Sequence, residues 1–97
     1  MTGDEIRLLV IGQKVAASDG IVNRSKDGNA IYQGFLGKID SGKSWIDSDL
    51  LCDQWQERYR GLKNCYPVFR NPDGSRKKLD EYLSATDFGI IAWSPVE

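Results

Sequence analysis

Ninety-seven residues, 40% of them apolar and 28% charged, are expected to fold as one domain, 1–97, around a single modest core. The complete absence of histidine excludes Ser-His-Asp and Cys-His catalysis within one chain and leaves a structural zinc site short of ligands. No apolar run approaches the ~20 residues of a membrane helix, and the acidic start MTGDEIRLLVIG lacks the basic flank of a secretory signal, so the expectation is a cytoplasmic protein without membrane association.

Residues 6–11 (IRLLVI) admit two readings. Thr2 and Glu5 have the spacing of a capping box, which would begin a helix running to about Ser18. The apolar positions 6, 8, 9, 10, 11, 15, 16 and 17 nevertheless surround the helical wheel and define no face, so a buried strand is preferred. Asp27-Gly28 then supplies the positive φ angles of a tight turn, and predicts a hairpin between strands 21–24 and 30–39. In the second strand Ile31, Phe35 and Ile39 share one face, and Tyr32 and Leu36 the other. Gly34 and Gly37 point to a bulge or bend of the kind found in small barrels. Asp40-Ser41-Gly42-Lys43 reads as the next turn, leading into a short strand at 44–46.

The spacing of Leu51, Trp55 and Tyr59 at i, i+4 and i+8 predicts a helix over about 48–60. Asp47 or Ser48 would cap it, Asp49 and Asp53 would sit near its positive end, and Gly61 would close it. Residues 64–70 read as an edge strand, because Pro67 has no N–H to give to a ladder. Asn71-Pro72-Asp73-Gly74 is a turn. Residues 75–84 are read as a short strand passing into one helical turn, and 88–93 (FGIIAW) as a closing strand ended by Ser94-Pro95. The expected fold is therefore α+β: a small, curved, meander-like antiparallel β-sheet of five or six strands, with the 48–60 helix packed on one face. Cys52 and Cys65 are expected to be free and buried, as befits a cytosolic chain, a disulfide being the less favoured alternative.

One stretch matches a phosphate-binding pattern literally: Gly37 to Ser44 satisfies G-x-x-x-x-G-K-S. In such a loop Lys43 would reach the phosphates and Ser44 would hold magnesium, provided that a helix began at Lys43-Ser44. The capping residues come later, at Asp47 and Ser48, and Asp40, Asp47, Asp49 and Asp53 would repel a triphosphate. The match reads as an accident of a turn. The same aspartates lack the spacing of a dedicated calcium loop.

Charge is distributed unevenly. Positions 58–78 hold seven basic residues against one acidic, +6, and the rest of the chain six basic against thirteen acidic, −7. Basic side chains interleaved with Tyr59, Tyr66 and Phe69 suit either an acidic protein surface or nucleic acid. Three tryptophans are more than a core this small requires, and Trp45 and Trp93 are candidate surface anchors. The candidate partner-binding residues are accordingly Trp45, Trp93, Arg58, Arg60, Lys63, Tyr66, Arg70, Arg76, Lys77 and Lys78. The expected function is a small non-enzymatic protein-interaction module of inhibitor, adaptor or accessory-subunit type, with a homodimer as one form. Nucleic-acid binding through 58–78 is the alternative, and nucleotide binding through 37–44 a distant second. No catalytic residue, cofactor or metal ligand set is expected.

Overall fold

Inward and outward side chains alternate along most of the chain, and in the computed structural model, which describes residues 1–96, that alternation is expressed as nine short strands. They are β1 (Lys14–Ala17), β2 (Gly20–Arg24), β3 (Asn29–Gly34), β4 (Ile39–Asp47), β5 (Leu50–Trp55), β6 (Asn64–Tyr66), β7 (Val68–Arg70), β8 (Tyr82–Thr86) and β9 (Gly89–Val96). All belong to one antiparallel sheet, in the order β6-β5-β4-β3-β2-β1-β9-β8-β7. The two ends of that order, β6 and β7, are halves of a single stretch broken only by Pro67. Its first half pairs with β5 and its second with β8, while Pro67 accepts from the Ala85 N–H at 3.1 Å. A residue without an N–H thus sits where the stretch changes partners. Because one stretch serves both ends, the sheet curls into a nearly closed up-and-down barrel.

One helix, α1 (Gly3–Val10), lies at the end of the barrel where β7 finishes and the β4–β5 turn lies. The Thr2 hydroxyl accepts from the Glu5 N–H at 3.2 Å, and the Glu5 carboxylate accepts from the Thr2 N–H at 2.9 Å. That N–H, with Arg70 at 2.7 Å beside it, holds the Glu5 carboxyl down at about 2. Ile6 and Val10, four residues apart, turn inward onto Leu51, Tyr66, Val68 and Trp93, while Leu8 stays 81% exposed. The terminal ammonium donates to the Val68 carbonyl at 3.0 Å, and the Gly3 N–H to Asp49 Oδ1 at 2.7 Å, so the helix is fastened over this end.

Several expectations are corrected. The fold is a nine-stranded, nearly closed barrel with one short helix rather than five or six strands carrying a main helix. The 48–60 helix is absent: 50–55 is β5, followed by a 3-10 turn at Arg58–Gly61. Alternation explains the error, since residues four apart lie on one face of a strand as well as of a helix. Leu51, Asp53 and Trp55 all point inward, and the charge of Asp53 disguised the period of two. Residues 6–11 lie mainly in α1, not in a strand, because capping and the Ile6–Val10 pair outweigh the crowded wheel. The 40–43 turn is also absent: that segment is inside β4, and the chain reverses at 35–38, where Gly37 has φ +97°. Gly42 points inward where strands crowd; a Cβ there would come within 2.2 Å of the Gln54 carbonyl oxygen. No strand forms at 75–79, β8 takes 82–86, and β9 continues through Ser94-Pro95. Cys52 and Cys65 face each other across β5 and β6 with Cα atoms 4.0 Å apart, and form a disulfide instead of staying free.

Candidate ligand-binding chamber

The register of the strands stacks the inward side chains in layers. Next to α1 lies an apolar layer, Val15, Leu51, Tyr66, Val68 and Trp93. Toward the opposite end lies a second apolar group, Ala30, Tyr32 and Trp55, with Val22 and Tyr59 packed against it. Between them sits a polar layer built from Arg24 on β2, Ser44 on β4, Asp53 on β5 and Asn64 on β6. Each reaches it because Val22/Arg24, Leu51/Asp53/Trp55 and Asn64/Tyr66 alternate with outward residues.

The Arg24 Nε–H donates to Ser44 Oγ at 3.0 Å, and its Nη2 donates to both Asp53 oxygens at 3.2 and 3.4 Å. The Ser44 hydroxyl and the Tyr66 phenol each donate a short hydrogen bond to Asp53. Burial and the adjacent Asp53 push the Tyr66 phenol well up, so it remains a neutral donor. Burial works against the Arg24 charge, but the Asp53 carboxylate outweighs it and raises the guanidinium further. Charge in this layer is therefore balanced, one cation against one anion. Among the described residues, two atoms in it lack a partner: Arg24 Nη1, a donor, and Asn64 Oδ1, an acceptor. Both residues are 4% exposed, and both line an internal chamber of about 60 Å³ that also touches Val22, Trp55, Ser84 and Trp93.

The 56–63 segment roofs this chamber. Arg58 lays its guanidinium 3.7 Å above the Tyr32 ring centroid and 5.6 Å from that of Trp55, and pairs with Asp19 at 3.5 Å. Tyr59 stacks on Phe88 of the β8–β9 turn, centroids 4.7 Å apart, so the segment spans the mouth from one side to the other. Tyr59 and Arg60 both adopt left-handed conformations, at φ +52° and +59°, a cost that is concentrated at functional sites when the surroundings enforce it. The enforcing group is Asp40, whose carboxylate accepts from the N–H groups of Glu57 at 3.1 Å, Arg58 at 2.9 Å and Ser41 at 2.8 Å. Burial disfavours the Asp40 charge, but those backbone donors outweigh it and hold its carboxyl below the ordinary range.

The residues expected to bind a partner scatter. Arg58 and Tyr66 line the chamber. Trp93 is 4% exposed, stacked on Tyr82 at 4.9 Å, with its Nε1–H donated to Ser84 Oγ at 2.8 Å. Trp45 is half-buried on the outer face beside Cys52, with the Lys63 ammonium 5.7 Å from its ring centroid. Arg60 and Lys63 are exposed near the mouth. Arg70, Arg76, Lys77 and Lys78 lie at the α1 end, where Arg70 pairs with Glu5 and Arg76 with Glu81 at 3.4 Å. The 58–78 segment is thus divided between opposite ends of the barrel. The phosphate-loop match has its first two residues in the 35–38 turn and the other six in the first part of β4, with Ser44 facing inward and no helix directly after it.

The chamber residues that sequence reasoning missed are Arg24, Asp53 and Asn64. Only the alternation Val22–Arg24 and Leu51–Asp53–Trp55 marked them as inward. Among the described residues no group of three or more Cys, Asp or Glu side chains is placed to hold a metal ion, and no helix is long and apolar enough to cross a membrane. Comparison of the chain with family models, curated proteins and solved structures yields no match.

Proposed function

We propose that this protein is a non-enzymatic binder of a small molecule held inside the barrel. The observation that supports this reading is the chamber itself, walled by the barrel strands and roofed by a segment in a strained conformation that Asp40 imposes. Barrels of this strand number hold either packed side chains or one small ligand, and this interior is incompletely packed. At about 60 Å³ it takes several waters or a fragment of a few heavy atoms, compared with about 150 Å³ for a cavity that admits benzene. Titration with a library of small fragments, followed by two-dimensional amide NMR, tests the reading. Saturable shifts confined to Val22, Trp55, Ser84 and their neighbours are expected. Ala17→Leu, which places a larger side chain in the chamber, is expected to weaken them at least tenfold while the circular dichroism spectrum is unchanged. Fragments that move only outer-surface amides, or none at all, overturn it.

A second reading, the protein-interaction module, draws on a different feature. Phe35, Leu36, Ile39, Leu62, Phe88 and Ile90 are all more than half exposed and lie on or beside turns at the mouth end, with Leu36 bare. A second copy of this chain is the occupant this reading names, since a net charge of −1 offers little repulsion between copies. Sedimentation at several concentrations, with Leu36→Asp as control, tests it, and a monomer throughout rejects it. Division of the basic residues between the two ends weighs against nucleic acid. The disulfide favours an oxidising compartment over the cytoplasm.

A further inference from the structure

From the two unpartnered atoms of the polar layer we infer that the chamber takes a small neutral molecule that carries both a hydrogen-bond acceptor and a donor, as an amide, lactam or urea does. This inference rests on the chamber being a binding site and adds the chemistry of its occupant. Arg24 Nη1 offers N–H donors and Asn64 Oδ1 offers an acceptor, and both belong to residues that are nine-tenths or more buried and line the chamber. Buried polar atoms are normally paired, so two left open on one cavity mark what the occupant must supply. The occupant accepts from Arg24 and donates to Asn64.

The alternatives fail on charge or on pairing. A carboxylate would satisfy Arg24 but would offer nothing to Asn64, and it would enter beside Asp53, which already neutralises Arg24 at 3.2 Å. A cation would meet the Asn64 oxygen but face the guanidinium. An apolar molecule would fill the space and leave both atoms unpaired, a penalty on each. A chamber of about 60 Å³ restricts the buried part to a few heavy atoms, which is the size of an amide group.

The experiment titrates the full chain with acetamide, acetate and formamidinium, which share a planar three-atom fork and differ in donor and acceptor pattern. The Arg24 Nε–H and the Asn64 side-chain amide are followed by NMR. Acetamide is expected to shift both saturably, with acetate and formamidinium at least tenfold weaker. Asn64→Leu is expected to weaken acetamide at least tenfold and to raise Tm, because it removes an unpaired buried acceptor; the raised Tm shows that the variant folds. Acetate or formamidinium binding as tightly as acetamide overturns the inference, as does acetamide binding unchanged in Asn64→Leu. Apolar fragments entering while acetamide does not would overturn the assigned chemistry and leave the chamber reading standing. No fragment entering at all would overturn both.

Discussion

Arg24 is the residue on which the interior depends most. Its guanidinium is buried among apolar layers, and Asp53, Ser44 and Tyr66 form a network that engages its Nε and Nη2 and leaves Nη1 open. A buried pair of this kind contributes little over an apolar pair of the same volume, because desolvation offsets the attraction. Breaking one side is different, since the remaining charge has nowhere to go. Arg24→Met is therefore expected to destabilise the barrel by about 3–5 kcal/mol, whereas Arg24→Met with Asp53→Leu recovers most of that. Urea denaturation of the two variants checks it. A double variant no more stable than the single one would mean that the network is worth more than its isolated charge, and that Ser44 and Tyr66 depend on it.

At the scale of elements, the 56–63 roof is held by a carboxylate rather than by packing. Asp40 receives three backbone N–H groups, two of them from the roof, and its folded pKa lies below that of a free aspartate. A lowered folded pKa means that the contribution is complete above the unfolded value, about 3.9, and is lost as pH falls through the lower folded one. The amides of Glu57 and Arg58 are therefore expected to lose hydrogen-exchange protection in acid before those of β2 and β3. Asp40→Asn is expected to show the same loss at neutral pH, with about 1.5–3 kcal/mol less local stability. Protection that persists in Asp40→Asn would assign the roof to the Tyr59–Phe88 stack instead. The same element shows where sequence reasoning stopped. Turn chemistry at Asp27-Gly28 and at Asn71–Gly74 is legible locally, and the structure has both, whereas the single edge strand expected over 64–70 is two strands, β6 and β7, parted at Pro67. The capping box at Thr2 and Glu5 was also legible, but crowding of apolar residues in 6–11 outweighed it. The reading failed over 48–60, where a spacing of four suits both periods and the deciding fact, a buried partner for Asp53, lies 29 residues away on Arg24. Local propensity carries no trace of that pairing. Arg58 and Tyr66 were marked by charge and aromaticity, for a surface role rather than the chamber they line.

For the whole molecule, the question is what keeps the barrel shut along its shortest stave. β6 and β7 have three residues each and are separated by a proline, so the Asn64–Arg70 stave contributes few ladder bonds. Two devices compensate. α1 bridges the adjacent end, with Met1 bound to Val68 and Glu5 bound to Arg70. The Cys52–Cys65 disulfide ties β5 to β6 one register position from the Asp53–Asn64 pair, so the covalent link lies directly behind the polar layer. It closes a loop of sequence separation 13, for which chain entropy gives a stabilisation of about 3 kcal/mol. Reduction is accordingly expected to lower stability by about that amount. Its local effect should also be uneven: hydrogen exchange should accelerate at Asp53 and Asn64 while β1, β2 and β3, which pair over longer registers with both neighbours, stay protected. Exchange measured with and without a thiol reductant decides the matter. Uniform acceleration would mean that the barrel opens only as a unit and that the disulfide acts through the unfolded chain alone. Acceleration confined to the β5–β6 seam would mean that the stave opens separately, and that the redox state of one bond sets how firmly the wall behind the chamber is held.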